Sequence, residues 1–356
     1  MNYLFYFVHP SKYHLFKHVI NTLIEKGHHV DVVIITKDVL EPLVRSEGWN
    51  YTNIFPEGRR SKSNSKYSIL FSTLINFFKT VWRLWKFTKN KSYDVFITDD
   101  CLSVIGWLKH VPSYMFIDDD ISVVPENSVL YFFATKIISP KVTNLGRFNK
   151  KKIGYNAYHE LAYLHPKYFT PDESIISKII PSKSRFFVLR LVSLTASHDI
   201  DKSGIDDGKV DELIEVLKDY GQVLISSERE LIKKYEKYKL NINPKDIAHV
   251  LYYADMFIGD SQTMNTEAAI LGTPAIRFND FVGKISTMNE IEYSYEMSYG
   301  FSTDNFEGLL NKVRGLVKNN NIKFEWSQKR QKMLSEKIDL NQWMIDFFDK
   351  EVCKLK

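Results

Sequence analysis

The chain alternates short apolar runs with segments of helical period, and it does so twice. Tyr3–Val8, Val30–Thr36, Asp94–Thr98 and Ser113–Ile117 read as strands, and Tyr13–Lys26 as a helix that Gly27 ends. The pattern restarts at Arg185–Leu191. It continues through helix Val210–Lys218, strand Gln222–Ser226, helix Lys245–Tyr253 and strands Met256–Ile258 and Ala275–Phe278. Strands separated by helices pair in parallel, with the helices covering the sheet. At 356 residues the chain exceeds one ordinary core. Two α/β domains are expected, at 1–165 and 166–335, joined through the Pro- and aromatic-rich stretch 154–174. The amphipathic tail 336–356 is expected to pack back on the first domain.

Composition narrows the class. Hydrophobic residues make up 44% and charged residues 26%, as in a soluble globular protein. No apolar run reaches the roughly 18 residues of a membrane span. The opening "MNYLFYFVHPSKYH" reads as a first strand rather than a signal peptide. Cys101 and Cys353 lie far apart, which fits a reducing cytoplasm and offers no zinc spacing. The net charge of +5 is uneven. Residues 58–92 hold nine Lys/Arg and no Asp/Glu, so the rest of the chain is net acidic. Trp and Phe interleave with Lys and Arg there, which suits the inner face of an anionic membrane. A core helix with a solvated basic side accounts for the segment equally. No nucleic-acid motif accompanies the charge, so nucleic acid is not an expected partner.

In open α/β sheets ligands bind beyond the carboxyl ends of strands, so the loops there matter most. In "GDSQTMNTEAAILGTPAIRFND" (259–280), a strand runs into a helix that begins near Ser261, Gln262 and Thr263. The free N–H groups and positive dipole end of a helix suit a diphosphate. Glu267 lies one turn further on the same face, where a carboxylate can hold a ribose diol. A capping box does not explain it, since Met264 and Thr266 occupy the third positions. Arg190 lies towards the end of strand Arg185–Leu191 and Ser193 and His198 follow it, donors for the other side of a diphosphate or simply a polar loop. Ser226, at the end of the next strand, fits a base pocket or a helix cap. Arg277 is a further substrate-binding candidate.

In the first half, His9 and His14 follow the first strand, in "VHPSKYH". No G-x-G-x-x-G is present, so a dinucleotide cofactor is not expected. Asp99-Asp100 and Asp118-Asp119-Asp120 each follow a strand. Clustered carboxylates raise one another's pKa and suit a general base, although Asp also caps helices. The catalytic candidates are His9, His14, Asp100, Asp119 and His198. No metal site is expected. Carboxylates could hold Mg²⁺, but a diphosphate bound by helix amides does not require it.

"HPSKYHLFKHVINTLIEKGHHV", "YNAYHELAYLHPKYF", "LVSLTASHD", "LYYADMFIGDSQTMNTEAAILGTPAIRFND" and "FVGKIS" resemble the domain-of-unknown-function-354 family. That family is similar to GT-B nucleotide-sugar enzymes, among them MurG-type glycosyltransferases and UDP-GlcNAc 2-epimerases. The resemblance spans the chain and is most specific over 155–285. It implies an α/β, GT-B-like fold, two Rossmann-like domains facing a central cleft, with the acceptor in the first and the donor nucleotide in the second. By the same resemblance Glu267 matches the ribose-binding glutamate and Ser261, Gln262 and Thr263 the diphosphate-binding turn. Arg190 sits near the phosphate-facing arginine. The chain departs from MurG where "VHPSKYH" replaces a glycine-rich turn.

The leading expectation is a cytoplasmic glycosyltransferase, peripheral on the inner face of the membrane. It would move a sugar from a nucleotide-diphosphate sugar, UDP-linked by the resemblance, to a lipid-linked or glycan acceptor in polysaccharide or glycoconjugate synthesis. The alternative is a nucleotide-sugar 2-epimerase. A protein that binds sugar nucleotides without turnover is the third reading.

Overall fold

A computed structural model of the chain describes residues 1–59, 66–180, 184–192 and 204–355. The candidate residues Ser193 and His198 lie outside that set. The chain divides into two compact units, Met1–Tyr163 with Ile338–Lys356, and Leu164–Lys337.

The first unit is built on seven parallel strands. They are β1 (Asn2–Phe7), β2 (His29–Ile35), β3 (Tyr51–Phe55), β4 (Val95–Thr98), β5 (Ser113–Phe116), β6 (Lys136–Pro140) and β7 (Lys152–Tyr155). Their order in the sheet is β3-β2-β1-β4-β5-β6-β7. Central strands such as β1, "NYLFYF", are continuous apolar runs because helices cover both faces. The first helix starts at Pro10, earlier than its apolar period indicates. Proline's fixed φ suits the first helical position, and the His9 side chain caps the end by accepting from the Ser11 N–H. Gly27, at φ +79°, ends the turn that follows. The C-terminal helix Leu340–Leu355 belongs to this unit. Phe348 packs on Tyr3, Phe5 and Phe116, and Lys26 pairs with Asp349 at 2.7 Å.

The second unit has five parallel strands, β8 (Phe186–Leu191), β9 (Gln222–Ser227), β10 (Met256–Gly259), β11 (Ala275–Phe278) and β12 (Ser298–Phe301). Their order is β12-β11-β10-β8-β9. β3, β6, β7 and β12 are absent from the strand list read off the sequence. β6 begins at Lys136, and β3, β7 and β12 are edge strands with at most two fully buried residues each.

Both sheets reverse direction once. In the first unit the chain builds outward from β1 through β2 to β3, then returns to lay β4 on β1's other side. In the second unit it goes from β8 to β9, then returns to lay β10 on β8's other side. The loops leaving the two strands at such a reversal diverge and open a crevice at their carboxyl ends. The residues following β1 and β4, and those following β8 and β10, therefore line the best-placed ligand positions of their units.

Candidate functional site

In the second unit, β10 runs into helix Gln262–Leu271. Ser261 is its N-cap, with Oγ accepting from the Met264 N–H at 3.3 Å. Gly272, at φ +85°, closes it. Gln262 is half-buried and Thr263 exposed at the open end of this ten-residue helix, and Glu267 is half-buried one turn along. Gly259 allows the helix to start where it does. A Cβ there would stand 2.7 Å from Arg190 Cβ and 2.9 Å from Arg190 O on the neighbouring strand.

Asp260 secures the junction. Its buried carboxylate accepts from the Val192 N–H at 2.8 Å and the Ile205 N–H at 3.4 Å, and burial pushes its pKa up to about 6. It thus ties the end of β8 and the entry to the next helix to the turn after β10. Arg190 lies between β10 and β9. Its Nη1 donates to Ser226 Oγ at 2.8 Å and its Nη2 to Glu228, while its buried Nε has no partner. Arg190, Ser226, Asp260, Ser261 and the first-turn amides thus share the strand-end edge of one sheet. Arg277 is in register with Gly259 on β11, in the same row as Arg190, but it faces the interior and is committed to another partner. It is fully buried, and its Nε is 2.6 Å from Glu292 Oε1.

In the first unit the loops after β1, β4 and β5 assemble a charged cluster around Lys12. Lys12 lies three residues after His9, on the same side of the helix. Its buried ammonium is 2.8 Å from Asp118 Oδ1 and 3.2 Å from His159 Nδ1, and His159 Nδ1 is 3.2 Å from Asp118 Oδ2. Burial alone would raise the Asp118 carboxyl, but His159 and Lys12 outweigh it and hold it well below the usual carboxylate range. Burial pushes the His159 imidazole down against the pull of Asp118, which keeps it neutral, and its Nε2 has no partner.

The neighbouring carboxyls divide into two kinds. Asp100 is pinned by Arg59 at 2.6 Å, and that cation outweighs burial and keeps it low. The same guanidinium donates to the Tyr6 hydroxyl. Asp99 is pushed up to about 7 by burial and by Asp100, against Lys12. Asp119 also rises to about 7, from burial and from Asp118. Two carboxyl groups that change protonation near neutral pH therefore lie beside two that stay ionised. His9, as a helix cap, is lowered to about 4 by burial and by Lys37 and Lys12. His14 is lowered to about 4 by burial and Lys17, and its ring packs between Tyr13 and Tyr163, away from the carboxylates. Both histidines are neutral at pH 7.

Lys12, His159, Arg59 and Asp260 are not among the candidates that the sequence offers, and Asp118 is offered there only as a member of its aspartate cluster. Lys12 had a readable signal, its spacing from His9. His159 had none, because it sits in a stretch with no helical or strand period. Among the described residues, no group of three or more His, Cys, Asp or Glu is arranged to hold a metal ion.

The family model described as Protein of unknown function (DUF354) matches residues 8–348. The chain belongs to this family. Among curated proteins none is significantly similar in sequence. Solved structures with the same fold include UDP-GlcNAc 2-epimerase from Neisseria meningitidis bound to UDP-GlcNAc, at TM-score 0.66 and 12% identity, over 98% of this chain and 100% of that one. Spinosyn forosaminyltransferase SpnP is similar at TM-score 0.65 and 14% identity, over 99% of each chain. MurG of Acinetobacter baumannii is similar at TM-score 0.59 and 13% identity, over 98% of this chain and 100% of that one. At these identities the likeness is of fold. This DUF354 protein has the GT-B-like architecture of two Rossmann-like units that glycosyltransferases and nucleotide-sugar epimerases share.

Proposed function

We propose that this DUF354 protein is a GT-B-type glycosyltransferase that takes its sugar from a nucleoside-diphosphate donor, UDP-linked by likeness to its structural neighbours. The observation that carries the reading is the open end of helix Gln262–Leu271 at the β8/β10 reversal, with Arg190 beside it and Glu267 one turn below. First-turn amides and a guanidinium stabilise a diphosphate most as it leaves, when its negative charge is greatest. Glu267 would hold the ribose diol. Donor binding in this reading needs no metal.

The first unit supplies proton handling. Asp100 and Asp118 are tied to cations, so Asp99 and Asp119 are the carboxylates suited to take the acceptor's proton near pH 7. The acceptor is a glycan or lipid-linked sugar in surface polysaccharide or glycoconjugate synthesis, met at the inner face of a membrane. That same pair of carboxyls also favours a second reading, nucleotide-sugar 2-epimerisation, in which one group removes a proton from the sugar and another returns one.

A thermal-shift panel of UDP, GDP, CDP and dTDP tests the donor site. At about 100 times its dissociation constant, a bound nucleotide adds about 2.7 kcal/mol of stability. One nucleotide is expected to stabilise the wild type and to do so much less in Glu267→Ala. No shift with any of them contradicts the donor site. Incubating the matching nucleotide sugar alone separates the two reactions, because an isomer formed without acceptor means epimerisation.

A further inference from the structure

We propose that three helices of the first unit, Lys66–Thr88, Leu102–Lys109 and Ser128–Phe133, together form a docking surface for an anionic lipid bilayer. The proposal deepens the membrane placement of the preceding reading, and it stands on separate observations. The sequence directs attention to 58–92 alone, whereas the structure adds the other two helices.

The first observation is apolar exposure. Along Lys66–Thr88, Leu74, Phe78, Trp82 and Trp85 recur at helical spacing on one side, while Thr80, Leu84 and Thr88 are buried on the other. Phe78 and Trp82 are each 61% exposed. Helix Leu102–Lys109 packs against both of the other helices and adds Trp107 at 55% exposure, and Ser128–Phe133 adds Phe132 at 64%. Trp107 stacks edge-on against Phe133 with centroids 5.4 Å apart, which joins these two helices at their exposed side. Aromatic side chains this open, on three adjacent helices, mark an interaction surface rather than scattered exposure.

The second observation is charge. The three helices carry Lys79, Lys86 and Lys109, with Arg83 paired to Glu57 at 2.6 Å, and contain no Asp or Glu of their own. The cations stand beside the open rings. Lys86 Nζ is 5.5 Å from the Trp82 ring, Lys109 Nζ bridges helices to lie 5.6 Å from Trp85, and Lys151 Nζ is 5.8 Å from Phe132. A second copy of the chain on this face would bring lysine against lysine with no acid in any of the three helices to pair them. Anionic headgroups neutralise the lysines, while Trp and Phe enter the interfacial layer. Among the described residues no helix is long and apolar enough to cross a membrane, so the attachment is to the surface.

The test is co-sedimentation of the full chain with vesicles of phosphatidylcholine alone or with added phosphatidylglycerol, without any sugar nucleotide. Binding is expected only with phosphatidylglycerol and should weaken with salt. Each of Lys79→Gln, Lys86→Gln and Lys89→Gln, the last exposed in the turn directly after helix Lys66–Thr88, is expected to weaken it about fivefold, the equivalent of about 1 kcal/mol per cation near the surface. The combination Trp82→Ala, Trp107→Ala and Phe132→Ser should abolish it. All six side chains are exposed, so the melting temperature should hold in every variant. Absent binding, equal binding to both vesicles, or variants that bind like wild type would overturn the proposal. So would a wild-type dimer that the aromatic variant turns into a monomer. Nucleotide-induced stabilisation is read without vesicles, so the donor site and this surface fail separately.

Discussion

Lys12 is a buried cation with carboxyl groups around it, and together with Arg59 it sets which of them stay ionised. Asp118 is paired to it and stays ionised, whereas Asp99 and Asp119, without a direct cation, are left at about 7. If Asp99 is the base, turnover should rise as pH passes through about 7 and fall by about 10²–10⁴-fold in Asp99→Asn. Stability carries the same signature with a definite sign. The folded pKa of Asp99 is raised above its ordinary 3.8, so the stability it contributes is complete below about pH 4 and is lost as pH rises through about 7. Melting temperatures of wild type and Asp99→Asn should therefore diverge across that window, with the asparagine form gaining. A constant difference from pH 4 to pH 8 would remove Asp99 from this role. The sequence displays the aspartates as clusters but not their differences, which arise from Lys12, Arg59 and His159 arriving from distant parts of the chain.

At the scale of elements, the strand–turn–helix from Met256 to Leu271 depends on a backbone approach that only glycine permits. Gly259→Ala places a methyl against Arg190 of β8, and overpacking of this kind costs about 1–3 kcal/mol. The variant should melt lower, and it should also lose nucleotide-induced stabilisation, since Arg190 and the helix start move apart. A variant that melts lower yet keeps the full nucleotide shift would separate the strand contact from the site. This helix was legible from sequence because its signals are local. Ser261 caps it and Gly272 stops it, as their chemistry dictates. The helix after β1 starts ahead of its apolar period because Pro10 and the His9 cap set its first turn. Strands β3, β6, β7 and β12 carry no strand pattern of their own because they are short, and their place in the sheet comes from neighbours.

For the whole molecule, the twice-run alternation of strand and helix led to two parallel α/β units, and two parallel sheets are what the chain forms. Each sheet reverses once, and each reversal carries a different chemistry: helix amides with arginine in one unit, carboxylates around a lysine in the other. In the proposed function the first edge would bind the diphosphate and the second would handle the proton. The central claim is that the β8/β10 edge holds the nucleoside diphosphate. Amide hydrogen exchange, measured with and without the nucleotide that stabilises the protein most, tests it directly. The account predicts slowed exchange concentrated at residues 259–267 and at the end of β8. Protection that leaves those amides unchanged and appears elsewhere would contradict it.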